Sequence, residues 1–396
     1  MSAPLQGILV VSLEQALAAP LATRHLADLG ARVVKVERPG GGDFARHYDS
    51  TVMGQSSHFV WANRSKESIE VDVKSDFGRE VLERLTARAD VVVSNLAPGT
   101  MERIGLGAEQ LRAKRPELIV CTISGYGRGG PYAHRRAYDL LVQCEAGLLA
   151  VTGTPASPAK VGVAVADIAA AMYAYSGILS ALFARERTGE GATLDISMLE
   201  ALVEWMGFPL YYTSYGGKSP SRAGARHSAI APYGPFRLED GTQVFLAVQN
   251  EREWHRLCEL VLRRPELVAD PRFASNPARL ANSLALEATI EAALGGLSVE
   301  RVMDLLETAG IAAARLRTVE EVLAHEQLAA RGRWTVVGSP TGPLWALLPP
   351  GLDPQWGVRM EEIPQVGQHT VALLAELGLG PPEGVDCLGV VPEVPS

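Results

Sequence analysis

Two short apolar runs, "GILVVSL" at residues 7–13 and "ARVVKVE" at residues 31–37, bracket "PLATRHLADLG" at residues 20–30. That triplet constrains the chain more than any other stretch. The flanking runs suit buried strands, while the middle segment has helical spacing closed by Gly30. Two strands joined by a helical crossover run parallel. The rhythm then repeats: alternation at residues 68–73, a helical "GREVLERLTARA" at 78–89, an apolar "DVVVSNL" at 90–96, then "AEQLRAKRP" and "ELIVCTIS" at 117–124. Repeated β-α-β units predict an α/β fold with a Rossmann-like, doubly wound parallel sheet.

At 396 residues the chain exceeds one ordinary core, so a second domain is expected. "VGVAVADIAAAMYAYSGILSALFARERTG" reads as a strand feeding a long helix, and "ATLDISMLEALVEWMGF" (192–208) as a strand feeding another. Residues 211–236 are then rich in Gly, Ser and Pro. "GTQVFLAVQN" (241–250) starts a smaller α+β pattern, with helices near 253–262, 284–294 and 298–310, and a last helix "HTVALLAELG" at 369–378. These shifts predict a large domain over 1–210, a linker at 211–225, a small α+β domain at 226–325, and a return to the large domain over 326–396.

The formal net charge of -8 argues against nucleic acid or an anionic membrane as partner, since phosphate binding needs a concentrated positive face. Four scattered cysteines without a CxxC pair fit a reducing cytoplasm. The opening "MSAPLQGILVVSLEQ" lacks a basic n-region, so no secretory leader is expected. No uninterrupted apolar run reaches about 18 residues, so no membrane span is expected. The eight histidines form no HExxH or HxH pair, and no metal site is expected.

"GYGRGG" at residues 125–130 formally matches a dinucleotide fingerprint, but "PYAHRRAYD" follows it and no helix opens at the third glycine. Glu37 ends the second strand where a ribose ligand could sit, yet the turn "LEQALAAP" has no glycines. Dinucleotide binding fails in both places. "RPGGGD" at residues 38–43 stands beyond the second strand, with Arg38 able to meet phosphate. It reads equally as an anion-binding loop or an ordinary turn. Asp167 is the single carboxylate in "VGVAVADIAAAMYAYSGIL", at the expected strand-to-helix junction. There it reads as an N-cap, and also as a carboxylate kept ionised by the helix dipole beside small residues, a candidate nucleophile.

Seven stretches in order, "ADLGARVVKVERPGGGD", "NRSKESIEVDVKS", "SNLAPGTMERIGL", "ISGYGRGGPY", "AYDLLVQCEAG", "VADIAAAMYAYSGILSALFARERTGEG" and "LDISMLEAL", resemble the class III CoA-transferases, the CaiB/BaiF family. The resemblance covers nearly the whole chain and implies an interlocked homodimer. It implies that Asp167 is the catalytic carboxylate, with Tyr138 and Asp139 beside it. It places Arg38, Val71, Lys74, Asn95, Arg103 and Arg136 around CoA. The implied chemistry runs through an aspartyl-CoA thioester, with CoA thioesters as substrates and no permanently bound cofactor.

The racemase branch of the same fold carries a His-Asp pair where this chain has Tyr138-Asp139, and tyrosine is a poor base at neutral pH. The Val-Gln pair of the formyl-CoA type is Ala16-Leu17 here, which speaks against oxalate or formate as substrate. "EWMGFPLYYTSYGG", "HSAIAPYGPF" and "VQNEREW" resemble the branch that handles small dicarboxylates. The resemblance puts itaconate first as acceptor from succinyl-CoA, followed by mesaconate and citramalate. Arg46, Arg226, His227 and Arg252 are the cations available for a distal carboxylate.

Overall fold

The computed structural model describes residues 2–353 and 355–380. The described residues divide into two compact units, 2–146, 162–205, 331–353 and 355–380 in one and 147–161 with 206–330 in the other, while residues 381–396 of the expected C-terminal return lie outside the described residues. The first unit holds a six-stranded, all-parallel sheet of β1 (Leu9–Leu13), β2 (Arg32–Glu37), β3 (Lys66–Glu70), β4 (Val91–Ser94), β5 (Ile119–Ser124) and β6 (Thr193–Ser197). Their spatial order is β3-β2-β1-β4-β5-β6. The chain therefore reverses its direction of winding between β1 and β4, and open sheets bind ligands beyond the carboxyl ends of such strands.

Helix α1 (Ala18–Asp28) crosses from β1 to β2, α2 (Asp76–Thr86) from β3 to β4, and the long α4 (Val165–Thr188) leads into β6; α3 (Asp139–Glu145) lies between β5 and α4, and α5 (Met198–Trp205) follows β6. α4 packs along α1. Its contact side is built from alanines, with Ala166, Ala169, Ala170, Ala171 and Ala174 each fully or almost fully buried. Small side chains let helix axes approach closely. Among the described residues α4 is the one helix with the length and apolarity to cross a membrane, and here its apolar side meets α1, the sheet and α5.

On the opposite face α2 buries Val81, Leu82 and Leu85 against β-strand valines and against Leu373, Leu374 and Leu377 near the helix Thr370–Glu376. Arg32 ties that late segment down through ion pairs to Glu67 at 2.9 Å and Glu376 at 2.7 Å.

The second unit has a three-stranded antiparallel sheet of Tyr233–Arg237, Gln243–Ala247 and Ala312–Arg315 over a core that includes Phe236, Trp254 and Phe273. This unit also takes in residues 206–225 and 326–330, beyond the span of 226–325 expected from the sequence. Residues 147–161 belong to this unit, although they fall inside the span expected for the large domain. The helix Gly207–Gly216 runs into the expected linker and is closed by Gly217 in the left-handed conformation.

Candidate functional site

Glycine geometry places the first component. Gly125 follows β5, and a Cβ there would collide with the Cβ of Ala137. The glycine thus lets residue 137 press against the strand end, and α3 starts just beyond it at Asp139. No helix opens at the third glycine of "GYGRGG", since residues 131–138 are non-helical.

Asp139, not Asp167, caps α4. Its Oδ1 accepts hydrogen bonds from the N–H groups of Ala166 at 2.7 Å and Asp167 at 3.3 Å, while Oδ2 accepts from the Gln143 side-chain amide at 2.6 Å. This corrects the expected junction. Residues 161–164 form no strand, the helix begins at Val165, and Asp167 sits in its first turn. A cap reaching over from another segment leaves no pattern in local sequence.

The Asp167 carboxyl is half-buried in that first turn, on a helix that packs along α1. Burial and then the neighbouring Asp139 charge push its pKa up to about 7, and the Ala18 N–H acts against them. The expectation of a carboxylate kept fully ionised by its helix dipole therefore fails. Asp139 has taken the N–H groups that would have done so. Tyr48 and Tyr138 stand nearby as half-exposed and exposed aromatics; burial, Asp43 and Asp167 together push the Tyr48 hydroxyl up to about 12.

The turn at residues 14–17 joins β1 to α1. The Gln15 N–H donates to Asn95 Oδ1 at 2.8 Å and the Asn95 amide donates back to the Gln15 carbonyl at 2.8 Å. Ala16 has a φ of 60°, in the left-handed region that L-residues avoid, and its N–H donates to Asp43 Oδ1 at 3.1 Å. Behind the turn lies a buried ionic cluster. Lys66 Nζ meets Glu14 at 2.7 Å, and Lys35 Nζ meets Asp43 at 2.9 Å and Glu14 at 3.3 Å. Arg46 closes it by pairing with Glu37 at 2.6 Å. Three cations thus face three carboxylates.

A parallel sheet puts every strand's carboxyl end on one edge, so the residues expected around CoA follow β2 to β5 there. Arg38 is exposed, with its Nε donating to the Gly42 carbonyl at 2.9 Å. Lys74, Arg103 and Arg136 are exposed. Val71 is buried in the core, and Asn95 is the clamp on Gln15. In "RPGGGD" the Gly40 N–H goes to Glu70 and the Asp43 N–H to Glu37. Two donors of that loop are therefore committed within the protein. The structure thus sets Asp139 against the first turn that carries Asp167, with Tyr138 next to it in the chain, and uses Asn95 to hold the turn that leads into α1.

The cations considered for a distal carboxylate fare differently. Arg46 is occupied by Glu37 and lies over the Phe59 ring at 3.7 Å. Within the second unit, Arg226 pairs with Glu287 at 3.0 Å, His227 stacks on Tyr233, and Arg252 is exposed. The sequence reading missed Glu14, Lys35, Asp43 and Lys66. Charged residues inside strand-like runs, Lys35 in "ARVVKVE" above all, were the available signal.

Comparison with known proteins agrees with this architecture. The profile described as CoA-transferase family III matches residues 5–370. The chain is 39% identical over 330 residues to an acetyl-CoA:oxalate CoA-transferase of Acetobacter aceti, covering 83% of this chain and 84% of that protein. It is 33% identical over 397 residues to a succinyl-CoA:glutarate CoA-transferase of Mus musculus, covering 98% and 90%. A crystal structure of a CAIB/BAIF family protein from Brucella suis superposes with a TM-score of 0.83 at 36% identity, covering 95% of this chain and all of that one.

Proposed function

The chain belongs to CoA-transferase family III, and on that premise we propose that it moves CoA from an acyl-CoA to a small dicarboxylate through Asp167. The observation that carries the reading is the placement of Asp167: a half-buried carboxylate in the first turn of α4 beside Asp139, whose pKa burial and that neighbouring charge push up to about 7. Burial strips a carboxylate of water and makes it more basic, hence a better nucleophile once it is ionised.

The reaction balances without oxidant or metal. The Asp167 carboxylate attacks the donor thioester carbonyl, forming a mixed anhydride and expelling CoA thiolate. The thiolate attacks the Asp167 carbonyl, releasing the donor carboxylate and leaving an aspartyl-CoA thioester. The acceptor carboxylate attacks that thioester and expels the thiolate again, which then attacks the acceptor's acyl carbon and frees Asp167. Arg38, Lys74 and Arg103 would meet the phosphates of CoA from the exposed loops after β2, β3 and β4. The N–H groups of Ala166 and Asp167 are occupied by Asp139.

The proposed donor is succinyl-CoA and the proposed acceptor a C5 dicarboxylate, with itaconate placed first by the sequence resemblance. The relatives from Acetobacter aceti and Mus musculus add oxalate and glutarate as acceptors to compare. Assembly as a homodimer belongs to the same reading.

The test is to trap enzyme incubated with succinyl-CoA using hydroxylamine or borohydride and to map the modified residue. Modification at Asp167, absent in Asp167→Ala, is expected. Undiminished transfer by Asp167→Ala ends the proposal. An acceptor screen against itaconate, mesaconate, citramalate, glutarate and oxalate ranks the substrates, a ranking set by pocket geometry.

A further inference from the structure

The leading N–H groups of α4, from Val165 to Ile168, divide between local and distant acceptors. Val165 donates to the Val163 carbonyl at 2.9 Å and Ile168 to the Ala164 carbonyl at 3.0 Å. Ala164 stands at the cap position and has no side-chain oxygen to offer the other two. Ala166 and Asp167 donate instead to Asp139 Oδ1, at 2.7 Å and 3.3 Å. The main chain of Asp167 itself is therefore held by a carboxylate on another helix, and that carboxylate is only half-buried at the start of α3. A half-buried aspartate can change rotamer, and the cap would leave with it.

Gln143 removes that freedom. It lies one turn further along α3, fully buried, and its amide donates to Asp139 Oδ2 at 2.6 Å. Residues four apart on a helix share one face, so the bond needs no distortion of α3. With Oδ2 held, Oδ1 stays on the N–H groups of Ala166 and Asp167. α3 packs directly on α4, so both ends of the chain of bonds rest on packed helices. The polarity is fixed as well: the amide nitrogen can only donate, and the ionised carboxylate can only accept.

We propose that Gln143 is a positioning residue for Asp167: by holding Asp139 Oδ2 it keeps Oδ1 on the first turn of α4, and so fixes the backbone from which the reacting carboxylate projects. Gln143 acts through Asp139. The inference rests on Asp167 being the nucleophile, and the controls separate the two claims.

The experiment is single-turnover acylation of full-length enzyme over a range of succinyl-CoA concentrations, quenched into hydroxylamine, with a thermal melt of each variant. Gln143→Leu removes the donor and keeps an apolar side chain in its buried place. It is expected to slow acylation at saturation by about tenfold or more, with little change in the half-saturating concentration. Gln143→Glu puts an oxygen where the donating nitrogen was, so two carboxylates face each other, and it should be slower still. Asp139→Asn combined with Gln143→Glu reverses the bond. The new amide at position 139 donates into the new carboxylate at 143, while its oxygen still accepts from Ala166 and Asp167. This reversed pair should recover most of the rate lost in Gln143→Glu, and nothing when Asp167→Asn is added.

A lower melting temperature with wild-type acylation in folded Gln143→Leu marks a bond that serves stability alone and overturns the proposal. A raised half-saturating concentration at unchanged maximal rate assigns Gln143 to ligand contact and likewise overturns it. Should Gln143→Leu fail to fold, the reversed pair decides: if it fails to fold, or acylates no faster than Gln143→Glu, the positioning role is overturned. Each of these results, with Asp167→Asn inert, leaves the nucleophile standing. Acylation by Asp167→Asn removes both.

Discussion

Glu14 and Asp167 are carboxylates withdrawn from water in the same unit, one behind the β1–α1 turn and the other in front of it, and their surroundings drive them in opposite directions. Burial alone would raise Glu14, but the Lys66 and Lys35 ammonium groups outweigh it and hold the carboxyl below its ordinary range. Asp167 has burial and a second carboxylate, Asp139, against a single backbone N–H, and it rises to about 7. Burial therefore does not decide the character of a carboxylate; its nearest charges do. The charge at position 14 holds structure together, and the charge at position 167 is stored against the fold's own stability.

Replacing each carboxyl by its amide should expose that contrast. The largest effect belongs to Asp167→Asn, which should lower steady-state transfer by on the order of 10⁴-fold or more, as loss of a covalent nucleophile does. Residual transfer within tenfold of wild type would remove Asp167 from the chemistry. Next comes Glu14→Gln, which leaves Lys66 and Lys35 buried with less compensation and should destabilise by about 3–5 kcal/mol in a denaturant titration. A change below about 1 kcal/mol would mean that the cluster contributes little to folding.

Asp167→Asn should move stability the other way. A carboxyl whose folded pKa lies above its unfolded value binds extra protons when folded, so stability falls as pH rises from about 4 through about 7. The variant should then be more stable than wild type by roughly 1–3 kcal/mol at pH 8, a gain that vanishes below about pH 4. A gain independent of pH would contradict the raised pKa. The smallest effect is that of Asp139→Asn. It removes the like charge and keeps a capping oxygen, so the acid limb of the rate profile should drop from near pH 7 by roughly half a unit to one unit. An upward shift would show that the cap outweighs the charge.

Much of the sheet was legible because its signal is local. β1, β4 and β5 are near-continuous apolar runs, as strands covered on both faces must be, and β2 keeps three valines around Lys35. Asp167 stood out as one charge in an apolar stretch. What failed to be legible was whatever depends on partners distant in sequence. The cap on α4 comes from Asp139, 28 residues before Asp167; the clamp on Gln15 comes from Asn95, 80 residues on. A strand Lys such as Lys35 reads as surface until Glu14 and Asp43 are placed around it. The supposed strand before Asp167 shows the converse error: alternating valines at 161–165 suggested pairing, and no neighbouring strand is there to pair with.

Helix α4 also sets a mechanical tolerance. Its 24 residues make a rod about 36 Å long. Near its far end Arg185 is pinned to Asp90, just ahead of β4, at 3.0 Å, while Asp167 rides at the near end. Asp167 lies 18 residues, about 27 Å, from that pin, so a tilt of one degree would swing it by about 0.5 Å, as much as reacting groups can be displaced before rate suffers. The alanine seam against α1 thus works as a guide rail along the lever: substitutions far from Asp167, such as Ala174→Val, should be felt at its tip.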